Sequence, residues 1–204
     1  MTAIAAYGPR ISGWARKVPT WPVYLLGAVP GLLLVYRTFA GRLGADPVRT
    51  LEHDLGLLGL QFLLASLCIT PLLRFARINF VKFRKALGLL AFGYVTLHFL
   101  VWLLLDLQLR WNLIGAEIVK RPYLTIGFVA FLALVPLAAT SFQKAMKAMG
   151  PQAWARLHRL VYLAVLLGGV HFVMQEKVWT TESLVYLVLA GVLVGMRFAW
   201  IRRW

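Results

Sequence analysis

Residues 86–105 read ALGLLAFGYVTLHFLVWLLL, a stretch of 20 residues that contains no Asp, Glu, Lys or Arg and one histidine, His98. A helix of about 20 apolar residues is long enough to cross the hydrocarbon core of a bilayer. Five further apolar runs predict membrane-spanning helices in the same way, and they cover residues 21–39, 55–73, 123–139, 160–174 and 184–200.

The composition of the whole chain also indicates a membrane protein. Of its 204 residues, 61% are hydrophobic and 14% are charged, and the mean hydropathy is +0.76. This is more apolar surface than the core of a small soluble domain can bury. We therefore predict an all-α integral membrane protein in which residues 1–20 form an N-terminal arm, residues 21–200 form a single bundle of six transmembrane helices, and residues 201–204 form a tail.

The net charge of +15 is distributed unevenly along the chain. The arm, the second and fourth connections and the tail contain basic residues and no acidic ones, namely Arg10, Arg16, Lys17, Arg74, Arg77, Lys82, Arg84, Lys85, Lys144, Lys147, Arg156, Arg159, Arg197, Arg202 and Arg203. All seven acidic residues lie in or beside the other three connections: Asp46, Glu52, Asp54, Asp106, Glu117, Glu176 and Glu182. The positive-inside rule then predicts that both termini are cytoplasmic. Membrane topology accounts for the charge, so we expect no nucleic-acid partner.

Three histidines lie in or at the edge of the apolar runs, where ionisable residues are rare and usually functional. The third and fifth predicted helices run in the same direction through the membrane. Fourteen residues separate Arg84 from His98, a rise of about 21 Å, and thirteen separate His158 from His171, about 20 Å. We therefore expect His98 and His171 to lie at one depth near the outer surface, and Arg84 and His158 to lie at one depth at the cytoplasmic edge.

Two imidazoles at one depth on neighbouring helices can serve as the two axial ligands of a b-type heme in a bundle core. His158 and His171 are about 140° apart around an ideal helix, so they do not share a face. Either a bend at Gly168 and Gly169 turns one toward the other, or His158 serves a different site. Small residues near the histidines leave room for a flat macrocycle, although they also serve close helix packing: Gly88, Ala91, Ala164, Gly168 and Gly169.

Several motifs resemble known families. The sequence LHRLVY at residues 157–162, followed by His171 with twelve residues between the two histidines, resembles the ferric reductase-like transmembrane domain of ferric reductases and NADPH oxidases. A fuller resemblance, over nearly the whole chain, is to the MsrQ-type heme-binding membrane subunits of the periplasmic methionine sulfoxide reductase system. It is carried in order by GADP at 44–47, Glu52-His53, ITPL at 69–72, RPYLT at 121–125 and Thr140-Ser141.

This resemblance implies an electron-transfer subunit of the bacterial inner membrane that is not itself the catalytic subunit. It would pass electrons from the quinone pool or a cytoplasmic flavin reductase to a periplasmic molybdenum-containing methionine sulfoxide reductase, with which it forms a heterodimer that repairs oxidised periplasmic proteins. The resemblance implies one or two b-type hemes, with His98, His158 and His171 as ligands of heme iron. FMN is also associated with such subunits, although the sequence contains no FMN motif.

The chain departs from the oxidase pattern at Arg84, where those proteins carry a second histidine on the third helix. Arginine stays protonated and does not normally ligate iron, so a second heme with two histidine ligands is not supported. Arg84 is either the partner of a heme propionate or a charge that sets the topology. No Gly-x-Gly-x-x-Gly motif follows the last span, so we expect the electrons to come from a separate donor.

Two other classes of function stay open. One is a cytochrome b-type membrane anchor of a different oxidoreductase. The other is a small transporter or an assembly subunit without heme, although a transporter more often carries carboxylates or broken helices inside the membrane. A protein of the second class would tolerate the loss of His98.

Overall fold

The structure is a computed structural model that describes residues 3–201, with side chains described from Tyr7 to Trp200. Within these residues the chain forms ten α-helices and no strand. The helices are α1 Ala3–Lys17, α2 Trp21–Phe39, α3 Pro47–Ala76, α4 Arg84–Val101, α5 Trp111–Lys120, α6 Pro122–Ala139, α7 Gln143–Met149, α8 Pro151–Leu157, α9 Leu160–Gln175 and α10 Thr181–Ile201. A 3-10 turn, Val81–Phe83, precedes α4, and a π-helical turn, Trp102–Asp106, follows it.

Six stretches of the described residues are long and apolar enough to cross a membrane, which confirms the six-helix prediction. They are Trp21–Phe39, Pro47–Ala76, Val81–Asp106, Pro122–Ala139, Pro151–Gln175 and Thr181–Trp200. The first has its predicted bounds and the other five are longer, because helical turns continue past the apolar runs. At the start of α3, for example, the Asp46 side chain accepts a hydrogen bond from the backbone N–H of Arg49 (3.1 Å) and caps the helix, with Pro47 in the first turn.

The fifth span consists of two helices rather than one. Between α8 and α9, His158 and Arg159 keep right-handed helical dihedral angles, but the backbone N–H of Arg159 bonds to the carbonyl of Arg156, three residues back, and this interrupts the α-helical hydrogen-bond pattern. Gly168 and Gly169, where a bend was considered, both lie inside the continuous helix α9. A methyl group at Gly169 would lie 3.2 Å from the Leu187 side chain, so this glycine allows close packing of α9 against α10.

Two antiparallel helix pairs form the centre of the molecule, α3 with α4 and α6 with α9, and α10 packs against α9. Buried side chains from these five helices form the main hydrophobic core: Leu60, Leu63, Leu64, Leu67, Ala91, Leu134, Leu137, Ala164, Val165, Phe172, Ala190, Leu193 and Val194. Helix α2 lies at the periphery and buries Gly27 and Leu34. The centre of the bundle therefore carries the histidines, and α2 is an outer element.

The two ends of the bundle differ in charge. We call the end with α1, residues 77–83, α7, α8 and the last turn of α10 the basic end, and the other the acidic end. The ion pairs of Arg37 with Asp54 and of Arg121 with Glu117 lie at the acidic end, as do the contacts of the His53 ring with Asp54 and Glu176. Most of the predicted N-terminal arm is helical as α1, while Arg202, Arg203 and Trp204 of the predicted tail lie outside the described residues.

Candidate functional sites at the two ends of the bundle

The structure brings His98 and His171 together toward the acidic end. His98 comes from α4 and His171 from α9, and their ring centroids are 6.1 Å apart with the ring planes inclined at 75°. The two helices run in the same direction, which is why residues at similar distances from their starts meet. We call these two residues the histidine pair.

Backbone hydrogen bonds fix the proton on each ring of the pair. Nδ1 of His98 donates to the carbonyl oxygen of Glu52 (2.8 Å), and Nδ1 of His171 donates to the carbonyl oxygen of Tyr123 (2.8 Å). A carbonyl oxygen can only accept, so each neutral imidazole carries its proton on Nδ1 and keeps a lone pair on Nε2. Metal-ligating histidines are held in this way, with one nitrogen donating to the protein and the other free for the metal.

A glycine faces each imidazole from the neighbouring helix. A methyl group at Gly56 would lie 3.1 Å from Nδ1 of His98, and one at Gly127 would lie 2.7 Å from Nδ1 of His171. The second distance is a steric overlap. The two rings therefore occupy space that any larger residue at these positions would restrict.

The two halves of the pair are built alike. In α3 the carbonyl of Glu52 is followed four residues later by Gly56, and in α6 the carbonyl of Tyr123 is followed four residues later by Gly127. Residues four apart lie one above the other on a helix face. One turn of α3 thus holds the imidazole from α4, and the matching turn of α6 holds the imidazole from α9.

The geometry of the pair fits two axial ligands of one iron. Metal–imidazole nitrogen bonds are about 2 Å long and each nitrogen lies about 1 Å from its ring centre, so an iron between two imidazoles sets their centroids about 6 Å apart. The centroids observed are 6.1 Å apart. A cavity of about 130 Å³ adjoins both rings, and its lining is largely apolar and includes Leu60, Phe99, Phe131, Leu134, Ala164 and Gly168. The two nitrogen donors and the separation of their rings therefore fit the iron of a heme, whereas a cavity of this volume is too small for the whole porphyrin, so lining side chains would move when a heme binds.

At the basic end, Arg84 and His158 both line a second cavity, of about 520 Å³, as their common predicted depth suggested. Three further basic side chains line the same cavity, namely Lys85 of α4, Arg159 just before α9 and Arg197 of α10. The Arg84 guanidinium donates to the Thr70 hydroxyl (2.7 Å), and that of Arg197 donates to the carbonyl oxygen of Leu67 (3.0 Å). Nε of Arg197 is buried without a hydrogen-bond partner in the part of the chain that the structure describes.

The imidazole of His158 is held differently from those of the histidine pair. Its ring stacks on Trp154 with 3.8 Å between centroids, and its Nε2 lies 3.1 Å from the Thr140 hydroxyl. That hydroxyl donates its one proton to the carbonyl oxygen of Pro136 (2.6 Å), so it accepts from Nε2–H of His158. Nδ1 is then the nitrogen with the free lone pair.

No Asp or Glu side chain among the described residues lines the basic-end cavity. All seven Asp and Glu residues of the sequence belong to the other end of the bundle. Arg197 is half-buried and Arg84 is exposed, and cationic groups at a membrane edge are stabilised when an anion pairs with them. The cavity therefore suits a ligand that carries an anionic group, and Trp154, Tyr162 and the His158 ring supply aromatic surface in its wall.

Comparison with known proteins agrees with the fold. The family described as ferric reductase like transmembrane component matches residues 54–169. The protein-methionine-sulfoxide reductase heme-binding subunit MsrQ of Brucella anthropi is 39% identical over 197 residues, which cover 97% of this chain and 89% of that relative. The MsrQ subunits of Brucella ovis and Brucella canis are each 40% identical over 191 residues, covering 94% of this chain and 84% of those proteins.

The chain belongs to the MsrQ family of heme-binding subunits. The matched ferric reductase-like segment includes His98 and His158 and ends two residues before His171. The likeness to the MsrQ relatives extends over nearly the whole chain, as the sequence motifs predicted. Together with the six apolar helices, it makes this chain a multi-pass bacterial membrane protein.

Sequence reasoning missed several residues that build the two sites. The carbonyls of Glu52 and Tyr123 with Gly56 and Gly127 were detectable as one four-residue spacing that occurs in two helices. Arg197 was grouped with the topogenic charges of the tail. The structure places it inside α10 against the basic-end cavity, and its position within an apolar run was the available signal.

Proposed function

We propose that this protein is a b-type heme electron-transfer subunit that delivers electrons to a periplasmic molybdenum-containing methionine sulfoxide reductase. The observation that carries the proposal is the histidine pair, with its two free Nε2 atoms and its centroid separation of 6.1 Å. The 39–40% identical relatives support it, since their names describe heme-binding subunits of protein-methionine-sulfoxide reductase. The catalytic centre would belong to the partner.

His98 and His171 would hold one heme between α4 and α9. A heme bound there supplies an iron that changes oxidation state by one electron, with a potential that depends on its ligands and surroundings. The carbonyls of Glu52 and Tyr123 keep each Nδ1–H engaged and orient the rings before the cofactor binds. Apolar side chains such as Phe99 and Phe131, stacked at 5.0 Å, keep water from this region.

At the basic end we propose that Arg84, His158 and Arg197 bind the flavin mononucleotide associated with this family. The two guanidiniums match a phosphate monoester, which forms strong charge-assisted hydrogen bonds with arginine. The cavity of about 520 Å³ offers aromatic wall residues for a planar ring system. Electrons would enter at this end from the quinone pool or a cytoplasmic flavin reductase and leave toward the periplasm near the histidine pair.

Ligation of a second iron by His158 stays a prediction. It would have to use Nδ1, because Nε2 faces Thr140, and no second histidine lines this cavity, where Arg84 occupies the facing wall. An arginine could instead pair with a heme propionate. The content of heme and flavin per chain separates the two possibilities: one heme and one flavin support our proposal, and two hemes without flavin contradict it.

The heme proposal is tested by replacing each histidine of the pair. We expect His98→Ala and His171→Ala to lose most of the Soret absorbance, because each change removes one axial ligand of the same iron. His53→Ala is the matched control, since His53 lies at the acidic end near Asp54 and Glu176 and does not line the cavity. Full heme content in both variants, or a colourless wild-type protein expressed with heme supplied, would refute the pairing.

The flavin proposal is tested by Arg84→Gln and Arg197→Gln. Both remove a positive charge from the basic-end cavity and leave the histidine pair intact, so we expect loss of bound flavin with the Soret band retained. Arg156→Gln is the control, because Arg156 is an exposed basic residue at the same end that does not line the cavity. Flavin retained at wild-type levels in both cavity variants would rule out this site.

A further inference from the structure

Helix α1 lies across the basic end of the bundle. Ser12 is buried against the connection between α3 and α4, where its hydroxyl accepts from the backbone N–H of Asn79 (2.9 Å) and lies 3.0 Å from the carbonyl oxygen of Arg77. Upstream, a methyl group at Gly8 would overlap the carbonyl oxygen of Ala76 at the end of α3. The helix is thus fixed to one membrane span by its middle turns.

The other end of α1 is fixed to the next span. Lys82 donates from Nζ to the carbonyl oxygens of Arg16 (2.9 Å) and Val18, which are backbone acceptors at the C-terminal end of α1. Because α1 contacts the end of α3 first and the residues just before α4 last, it runs between two spans at their common end. A helix that runs from one span to the next at their common end would lie along the membrane surface. Only residues 18–20 separate it from the first span at Trp21.

The side chains of α1 divide into three faces around the helix. Gly8, Ser12 and Ala15, spaced four and three apart, form the buried docking face. Tyr7, Ile11 and Trp14, with the same spacing, form an adjacent apolar face, and Tyr7 and Trp14 are 59% and 66% exposed. The exposed basic residues Arg10, Arg16 and Lys17 occupy the remaining surface.

We propose that α1 is an in-plane helix that binds the anionic surface of the membrane at the basic end. Tyr7, Ile11 and Trp14 enter the boundary between headgroups and acyl chains, where tyrosine and tryptophan are favoured. Arg10, Arg16 and Lys17 pair with anionic lipid headgroups, which attract basic segments. The neighbouring connections are basic and contain no carboxylate, so their charge complements such a surface and would repel a basic protein partner.

The position of the apolar face is tested by spin labelling of the full-length protein in a Cys68→Ser background. Nitroxides are attached at Trp14→Cys and, as the matched control on the polar face, at Arg10→Cys, in vesicles of phosphatidylcholine mixed equally with phosphatidylglycerol. We expect the label at position 14 to be reached by oxygen and shielded from a water-soluble nickel chelate, and the label at position 10 to show the reverse. Equal access of the chelate to both labels would overturn the proposal, as would shielding of position 14 only after a cytoplasmic reductase is added.

The lipid preference is tested by counting the phosphatidylglycerol molecules that the purified protein retains in native mass spectrometry. We expect Arg10→Gln/Arg16→Gln/Lys17→Gln to retain fewer than the matched triple variant Lys144→Gln/Lys147→Gln/Arg156→Gln in α7 and α8. Equal retention by the two triple variants would contradict recognition by α1. Both experiments are independent of cofactor binding, so they succeed or fail separately from the proposed electron-transfer function.

Discussion

At the residue scale, each imidazole of the histidine pair depends on one carbonyl and one glycine of the neighbouring helix. The carbonyl determines which nitrogen is free, and the glycine leaves room for the ring. A histidine with its other nitrogen engaged is both oriented and made a better ligand. The free Nε2 atoms therefore follow from backbone positions in α3 and α6 rather than from side-chain partners.

Gly127→Ala should remove heme without altering either histidine. The new methyl group would lie 2.7 Å from Nδ1 and 2.9 Å from Cε1 of His171, so the ring must move away and its bond to Tyr123 must lengthen. We expect loss of most of the Soret absorbance, and a smaller loss for Gly56→Ala, where the closest approach is 3.1 Å.

The control for both changes is Gly191→Ala in α10, where the added methyl group has no neighbour within 4 Å. It should keep the heme and stabilise the helix slightly, because alanine favours helices over glycine. Wild-type heme content in Gly127→Ala would show that the ring is not confined as the structure indicates.

At the element scale, one tyrosine of α4 forms two hydrogen bonds to the backbone of α2. The Tyr94 hydroxyl donates to the carbonyl oxygen of Gly27 (2.6 Å) and accepts from the backbone N–H of Gly31 (2.9 Å), on either side of Pro30. Its ring stacks on Phe62 with 5.5 Å between centroids. Since α2 buries few residues, this contact is a large part of its attachment to α4.

Tyr94→Phe should weaken this attachment. The change keeps the stacked ring and removes both hydrogen bonds, and we expect it to lower the free energy of unfolding by about 1 kcal/mol. Tyr36→Phe, at an exposed position of α2, is the control and should have no measurable effect. Equal thermal unfolding curves for the two variants in detergent would argue against a role of the Tyr94 hydroxyl.

At the scale of the whole molecule, the segregation of charge should determine orientation. We expect the basic end to be cytoplasmic, because basic connections are retained inside. A fluorescent protein fused after residue 204 should then fluoresce, and alkaline phosphatase fused there should be inactive. Phosphatase fused after residue 110, at the acidic end, should be active. The reverse pattern would invert the proposed direction of electron transfer.

The membrane spans were predictable because a run of about 20 apolar residues is the length that a helix needs to cross the hydrocarbon core of a bilayer. The depth match of His98 with His171 was also predictable, because helical rise is fixed and only sequence separation enters it. The predicted bounds of these spans were less accurate than their number. Capping by Asp46 extends α3 beyond its apolar run, and hydropathy does not detect such polar turns.

The sequence by itself determined the fold class, the six spans and the levels at which ionisable residues lie, since these depend on composition and on distance along one helix. Tertiary structure decided which faces meet: it turns His98 and His171 toward each other, breaks the fifth span at residues 158–159, and brings Arg197 to Arg84. Rotation of one helix against another depends on packing between residues distant in sequence, such as Gly127 with His171. No pattern within a single helix contains that information.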